Sequence, residues 1–259
     1  MADGSGSMAN VRTPGRALVT GAAVRVGRAI ALELAGAGFD VAVHHHRSSD
    51  AAARVADRLG ELGAEAYPVA ADLAVPSDIQ RMFAELAAEW GTLDLLVNSA
   101  AIFPRSRPED VTPEDWDRVI AINARAPLLC AQAAAEMMGE AGGSIVNIAD
   151  VAAYEAWPSY VPYAASKAAL VSLTRGLARA WAPRVRVNAV APGPVMLPDG
   201  TDSEERRRAA SRTALGRVGD AKDVAEAVLY LASAQYVTGE VIRVDGGAHL
   251  LKASGGGLS

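Results

Sequence analysis

From Ala17 onward, short β-branched apolar runs alternate with longer alanine-rich amphipathic ones, and this alternation limits the possible folds more than any other feature of the chain. A strand covered on both faces reads as a continuous apolar run, whereas a helix lying over it shows apolar residues every three or four positions. ALVT, DVAVHH, AEAYPVA, LDLLVNS, GSIVNIA, VRVNAVA and EVIRV read as strands, with helices expected near 26–37, 50–62, 77–89, 113–138, 160–181 and 221–233. Ser77 stands before one helical run as its cap. Thr112, Pro113 and Asp115 supply an N-cap, a first-turn proline and a first-turn acid for another. Seven strands with crossover helices imply an α/β chain: a single doubly wound, mainly parallel sheet with helices on both faces. Sheets of this kind bind ligands at the carboxyl ends of their strands.

Composition narrows what such a sheet could serve. The chain has 259 residues, 51% of them hydrophobic, enough for one sizeable core. A net charge of −5 excludes a surface designed for nucleic acid or an anionic membrane, so small molecules are the expected partners. The single cysteine, Cys130, has no mate for a disulfide or a thiolate metal site and reads as a small buried apolar residue. No stretch is apolar and long enough to span a bilayer and no signal peptide is legible, so a cytoplasmic location is expected. Residues 1–13 read as a disordered leader, and 14–259 as one domain with a substrate lid near 194–212. That lid contains Pro194, Pro198 and Gly200, then the charged run Glu204 to Arg208, which would equally suit a solvated helix.

Directly after the first strand comes Thr20-Gly21-Ala22-Ala23-Val24-Arg25-Val26-Gly27, and then a helix. Small residues there let the backbone turn tightly and approach a pyrophosphate at the helix N-terminus. Arg25 stands where such loops often carry glycine and could meet either phosphate or substrate. The second strand ends His44-His45-His46-Arg47-Ser48, with no acid for a ribose 2′-hydroxyl. Arg47, with Ser48 and His46, instead suits a 2′-phosphate, so NADPH is the expected cofactor. The histidine run does not make a metal site, because neighbours on a strand point to opposite faces. Asp72, at the end of the third strand, suits either the adenine edge or a helix cap.

Tyr163 and Lys167 are four residues apart on an expected helix, hence on one face. A cation there is expected to lower the tyrosine's pKa. They follow, in order, the glycine-rich loop, Asn98 and Asn123, and they precede a Pro192-Gly193 turn. This ordered set resembles the short-chain dehydrogenase/reductase family from about Ala17 to Leu250. The resemblance implies a Rossmann-type fold, usually in a homotetramer. It implies Tyr163 as proton donor, Lys167 holding the nicotinamide ribose, Asn123 supporting a proton-relay water and Asn98 fixing the fourth strand's end. Pro192, Gly193 and Val195 would border the nicotinamide, and Gly21, Val26, Gly27, Leu73 and Ala100 would fall along the rest of the cofactor.

Two departures point within the family. Most members carry serine thirteen residues before the tyrosine, where this chain has Asp150, and position 25 is arginine rather than glycine. With the His-His-Arg-Ser run and Phe103, these resemble the pteridine reductase branch, which commonly has serine where Ala101 stands. There Asp150 would work with Tyr163, Phe103 would sandwich a pterin ring, and Arg25 would contact cofactor and substrate. From position alone, Phe103 reads equally as a packing residue. Reduction of a pterin or dihydropterin is therefore the expected activity. Reduction of a sugar, steroid, quinone or 3-oxoacyl carbonyl is the alternative, and a binding protein that senses NADPH without turnover is a third reading, against which Tyr163, Lys167 and Asn123 argue.

Overall fold

The computed structural model describes residues 15–197 and 200–251; the expected leader and Pro198 lie outside them. Seven parallel strands form one sheet: β1 (Arg16–Val19), β2 (Asp40–His45), β3 (Ala66–Ala70), β4 (Leu95–Asn98), β5 (Gly143–Ile148), β6 (Val185–Pro192) and β7 (Val241–Val244). Their order is β3-β2-β1-β4-β5-β6-β7, with every pairing parallel. The chain builds outward from β1 to β3, then returns to the other side of β1 with β4. The crevice at that reversal is where doubly wound sheets hold ligands.

Strand alternation divides the core. Ala17, Val19, Leu95 and Val97 face one layer, with Ile30 and Leu34 of α1 (Arg25–Gly36) and Val228 and Leu231 of the late helix Ala221–Ser233. Leu18 and Leu96 face the other. There they meet Met82 and Leu86 of the helix Pro76–Trp90 and Cys130 and Ala134 of the helix Ala126–Met138. Leu96 is completely buried, so Leu96→Ala would remove about 2–5 kcal/mol of stability. Burial pushes the Cys130 thiol up to about 12, consistent with an inert packing residue.

In chain order after α1, the helices are α2 (Ser49–Glu61), α3 (Pro76–Trp90), α4 (Pro113–Ile120), α5 (Ala126–Met138), α6 (Val161–Trp181), α7 (Ser203–Ala210), α8 (Ala221–Ser233) and α9 (Ala248–Leu251). Thr112 forms a capping box with Asp115 at α4. Ser77 is not a cap. Pro76 occupies the first turn of α3, and the N-cap residue is Val75, which has no side-chain bond to give. The stretch read as one helix over 113–138 is α4 and α5 joined by a wide π turn, Ala121–Arg125. The cause is local. Pro127 has no N–H, so the Asn123 carbonyl four residues earlier receives no α-helical bond from it, and the Ala126 N–H reaches back to Ala121 instead. The charged run became α7, capped by Asp202, whose carboxylate accepts from the N–H groups of Glu204 and Glu205. Among the described residues, no helix is long and apolar enough to cross a membrane, and no group of acidic, histidine or cysteine residues is arranged to hold a metal.

Candidate active site

The loop from Thr20 to Gly27 wraps the carboxyl end of β1 and enters α1. Gly21 has φ +68, and a Cβ on it would lie 3.0 Å from the Cα of Ala100; a Cβ on Gly27 would lie 2.3 Å from the carbonyl oxygen of Gly21. At Gly21 and Gly27 the loop is therefore bare backbone by necessity, as close approach to a pyrophosphate requires. The N-cap of α1, Val24, provides no side-chain bond, and no acid lies in the first turn, leaving the amide groups for an anion. Arg25 takes φ +51, so it does occupy a glycine-like conformation. Its guanidinium donates to the carbonyl of Met196 at 2.5 Å. Met196, with φ +45, is the only other non-glycine residue of positive φ among the described residues. This contact ties the loop to the start of the segment read as a lid. There Val195 bridges to Gly219.

His44 explains part of the histidine run. Its buried ring accepts the Gly21 N–H at Nδ1 (3.0 Å), and Nε2 lies 3.1 Å from the Ala71 carbonyl, so one neutral imidazole ties the loop to the ends of β2 and β3. Burial holds its pKa down to about 4. His46, Arg47 and Ser48 emerge exposed at the β2 tip. Asp72 spends one oxygen on the Ala74 N–H at 2.9 Å, and its other oxygen lies 3.6 Å from the His46 ring. It closes a turn and also faces the β2 tip. Leu73 packs its side chain in the core, so only its backbone can face a cofactor. Thr20 Oγ accepts from the N–H groups of Ser99 and Ala100 at 2.9 and 3.0 Å, pinning the β4 exit against the cradle. Asn98 donates to Asn147 Oδ1 (2.9 Å) and to the Pro127 carbonyl (3.3 Å), tying the ends of β4 and β5 together. At the far side, a Cβ on Gly193 would lie 2.6 Å from that of Asp245, so the Pro192-Gly193 turn packs without clearance.

The catalytic candidates meet at the end of β5. Asp150 caps the short turn Val151–Tyr154 through Oδ1, which accepts the Ala152 N–H at 2.8 Å, while Oδ2 accepts the Tyr163 hydroxyl at 2.7 Å. The cap and the tyrosine partner are thus the same carboxylate. One turn along α6, Lys167 donates to the Ile148 carbonyl at 2.7 Å, and its ammonium lies 5.7 Å from the Tyr163 ring centre. Asn123, in the π turn, grips Ile102 at both backbone groups (2.9 Å each) and donates to Ser166 Oγ at 3.1 Å.

The expected lowering of the Tyr163 pKa is not found. Burial raises it, and the carboxylate of Asp150 raises it further. The phenol is held as a donor. Burial likewise raises Asp150 and brings Lys167 down to about 8. Phe103 is 52% exposed. It stacks on Tyr160 (4.3 Å between ring centres, 3° apart) and meets Tyr163 at 4.4 Å and 73°. Trp157 stands edge-on to both Phe103 and Tyr160. Sequence reasoning missed Trp157 and Tyr160; the three-residue spacing Trp157, Tyr160, Tyr163 was the available signal.

A family profile described as enoyl-(acyl carrier protein) reductase matches residues 21–249. The chain belongs to the short-chain dehydrogenase/reductase family. Among its relatives in that family, the 3-oxoacyl-[acyl-carrier-protein] reductase FabG of Staphylococcus aureus is 35% identical over 240 residues, 90% of this chain and 98% of that protein. Versicolorin reductase 1 of Aspergillus parasiticus is 35% identical over 257 residues, 92% of this chain and 98% of its own length. The crystal structure of the angucycline C-6 ketoreductase LanV with bound NADP matches with a TM-score of 0.85 at 38% identity, covering 91% of this chain and 96% of that one. These relatives favour carbonyl reduction over the pterin reading.

Proposed function

We propose that this short-chain reductase uses NADPH to reduce a carbonyl to an alcohol, with Tyr163 as proton donor. The observation that carries this reading is the cluster of Tyr163, Asp150 and Lys167 at the strand ends beside a cradle of bare backbone. Gly21, Gly27 and the first turn of α1 would hold the pyrophosphate, Arg47 and Ser48 a 2′-phosphate, and Lys167 the nicotinamide ribose. NADPH, when bound, would supply a hydride for the carbonyl carbon. Tyr163 gives its phenolic proton to the oxygen as that bond forms, and the Lys167 ammonium stabilises the phenolate left behind. Asp150, whose carboxylate accepts the Tyr163 hydroxyl, fixes the position of the phenol at the end of β5. Serine, the usual residue here, offers a hydroxyl donor, whereas the Asp150 carboxylate acts as an acceptor from Tyr163.

Pterin reduction is the second reading, favoured by one observation: the carboxylate bonded to Tyr163, which as an anion could accept from pterin N–H groups. Following NADPH absorbance against ketones, 3-oxoacyl thioesters, quinones and oxidised pterins tests both readings. Asp150→Ser should leave ketone turnover within a few fold, while a pterin reductase would lose about 10²–10⁴-fold. Turnover on none of the carbonyls would overturn the proposal. Arg47→Ala should weaken NADPH by about 1.5–3 kcal/mol and leave NADH nearly unchanged, as measured by cofactor titration; equal losses would remove Arg47 from the 2′-phosphate site.

A further inference from the structure

We infer that Phe103, Trp157 and Tyr160 form a substrate wall that selects a flat, fused-ring aromatic ketone over a flexible acyl thioester; the inference rests on the carbonyl reading above. Aromatic residues make up only 5% of the chain, yet four of them, Tyr163 included, form one cluster of touching rings. Phe103 is 52% exposed at that position, so a good part of a large apolar side chain stays uncovered among the described residues.

The wall is built rather than incidental. Asn123 fixes the backbone of Ile102, the residue before Phe103, by accepting from its N–H and donating to its carbonyl. Three residues after Phe103, the Ser106 N–H donates to the Ser159 carbonyl at 3.0 Å, fastening this loop to the one that carries Trp157 and Tyr160. The Tyr160 N–H in turn donates to the Trp157 carbonyl at 2.9 Å. The indole N–H of Trp157 is bonded to Glu155 at 2.7 Å, so its ring offers a face and edges rather than a donor.

Phe103 lies 4.4 Å, ring centre to ring centre, from Tyr163. A ketone whose oxygen reaches the Tyr163 hydroxyl would thus have these rings beside its body. A rigid polycycle gains stacking there and has no rotors to freeze, whereas an acyl chain gains less contact and loses chain freedom. Asn123 thereby acts as a positioning residue for specificity.

The test compares α-tetralone and its three-ring homologue with acetoacetyl N-acetylcysteamine thioester, using the full-length protein and NADPH. The expected result is kcat/KM rising with ring count and exceeding that of the thioester at least tenfold. Phe103→Leu and Trp157→Ala should each raise KM for the three-ring ketone roughly two- to tenfold, and by a larger factor than KM for the thioester. Trp157→Phe should restore most of the loss. Melting temperature and NADPH affinity, measured for each variant, separate a substrate contact from a folding defect; a variant that fails to fold is replaced by Tyr160→Phe, which keeps the stack and should keep the ring preference. Preference for the thioester, or equal KM changes on both substrates, overturns the wall and leaves the carbonyl reading intact. Turnover of neither class overturns that reading first.

Discussion

The proposed cofactor cradle at the tips of β1 to β3 and the proposed catalytic cluster at the end of β5 and the start of α6 stand on one edge of one sheet, yet they are held differently. The cradle is shaped by backbone: Gly21 and Gly27 have no room for a Cβ, and the buried ionisable side chain bracing the loop, His44, is neutral. The cluster is shaped by buried ionisable groups that lean on one another, Asp150 on Tyr163 and Lys167 on the Ile148 carbonyl. The first arrangement suits tight, geometry-defined binding of a common cofactor. The second suits proton movement, because each group sits away from its ordinary pKa.

The largest effect should come from the cluster. Tyr163→Phe removes the donor and little volume, and should lower kcat about 10²–10⁴-fold while NADPH affinity holds. Single-turnover rates alongside cofactor titration check this, and a parallel loss of affinity would mean the two regions are not separable.

Acid should reach the cradle first as a loss of stability. His44 has its pKa held down to about 4 against an ordinary 6.5, so the folded chain favours the neutral ring. Its contribution is complete above pH 6.5. It is lost as pH falls from 6.5 to about 4, because the unfolded chain takes up the proton first, a total of about 3 kcal/mol. Urea unfolding of the wild type and His44→Gln across that range should show the steeper fall in the wild type; identical slopes would place the acid sensitivity elsewhere.

The smallest of the three is Gly27→Ala, at about 1–3 kcal/mol of strain, since its Cβ would meet the Gly21 carbonyl. Cofactor affinity should fall with kcat unchanged at saturating NADPH, the reverse of Tyr163→Phe.

All seven strands were legible in the sequence: the central ones, buried on both faces, read as apolar runs such as GSIVNIA or VRVNAVA, and the edge strands β3 and β7, only partly buried, still read as short β-branched and aromatic runs. The loop glycines and the Tyr163–Lys167 pair were legible because tight turns and helix spacing constrain residue type locally. What escaped depended on distant partners or on a missing hydrogen bond. The break between α4 and α5 follows from the absent N–H of Pro127, which a periodicity reading passes over. The raised pKa of Tyr163 follows from Asp150 and from burial, neither visible in the spacing to Lys167. The contact of Arg25 with Met196 joins residues 171 apart. The aromatic wall needed two loops brought together, and only one of its rings, Phe103, lay next to a strand end that sequence could place.

The strand order also sets a timetable for assembly. β1 pairs with β2 soon after synthesis, but its other neighbour, β4, arrives late: the Arg16 N–H finds the Asp94 carboxylate across 78 residues. Until that long loop closes, Thr20 has no Ser99 or Ala100 to hold, and the cradle has one wall. Folding should be slow for a domain so rich in helices, governed by closure of β4 onto β1, and the emerging half-sheet presents an open edge at β1 for as long as that closure takes.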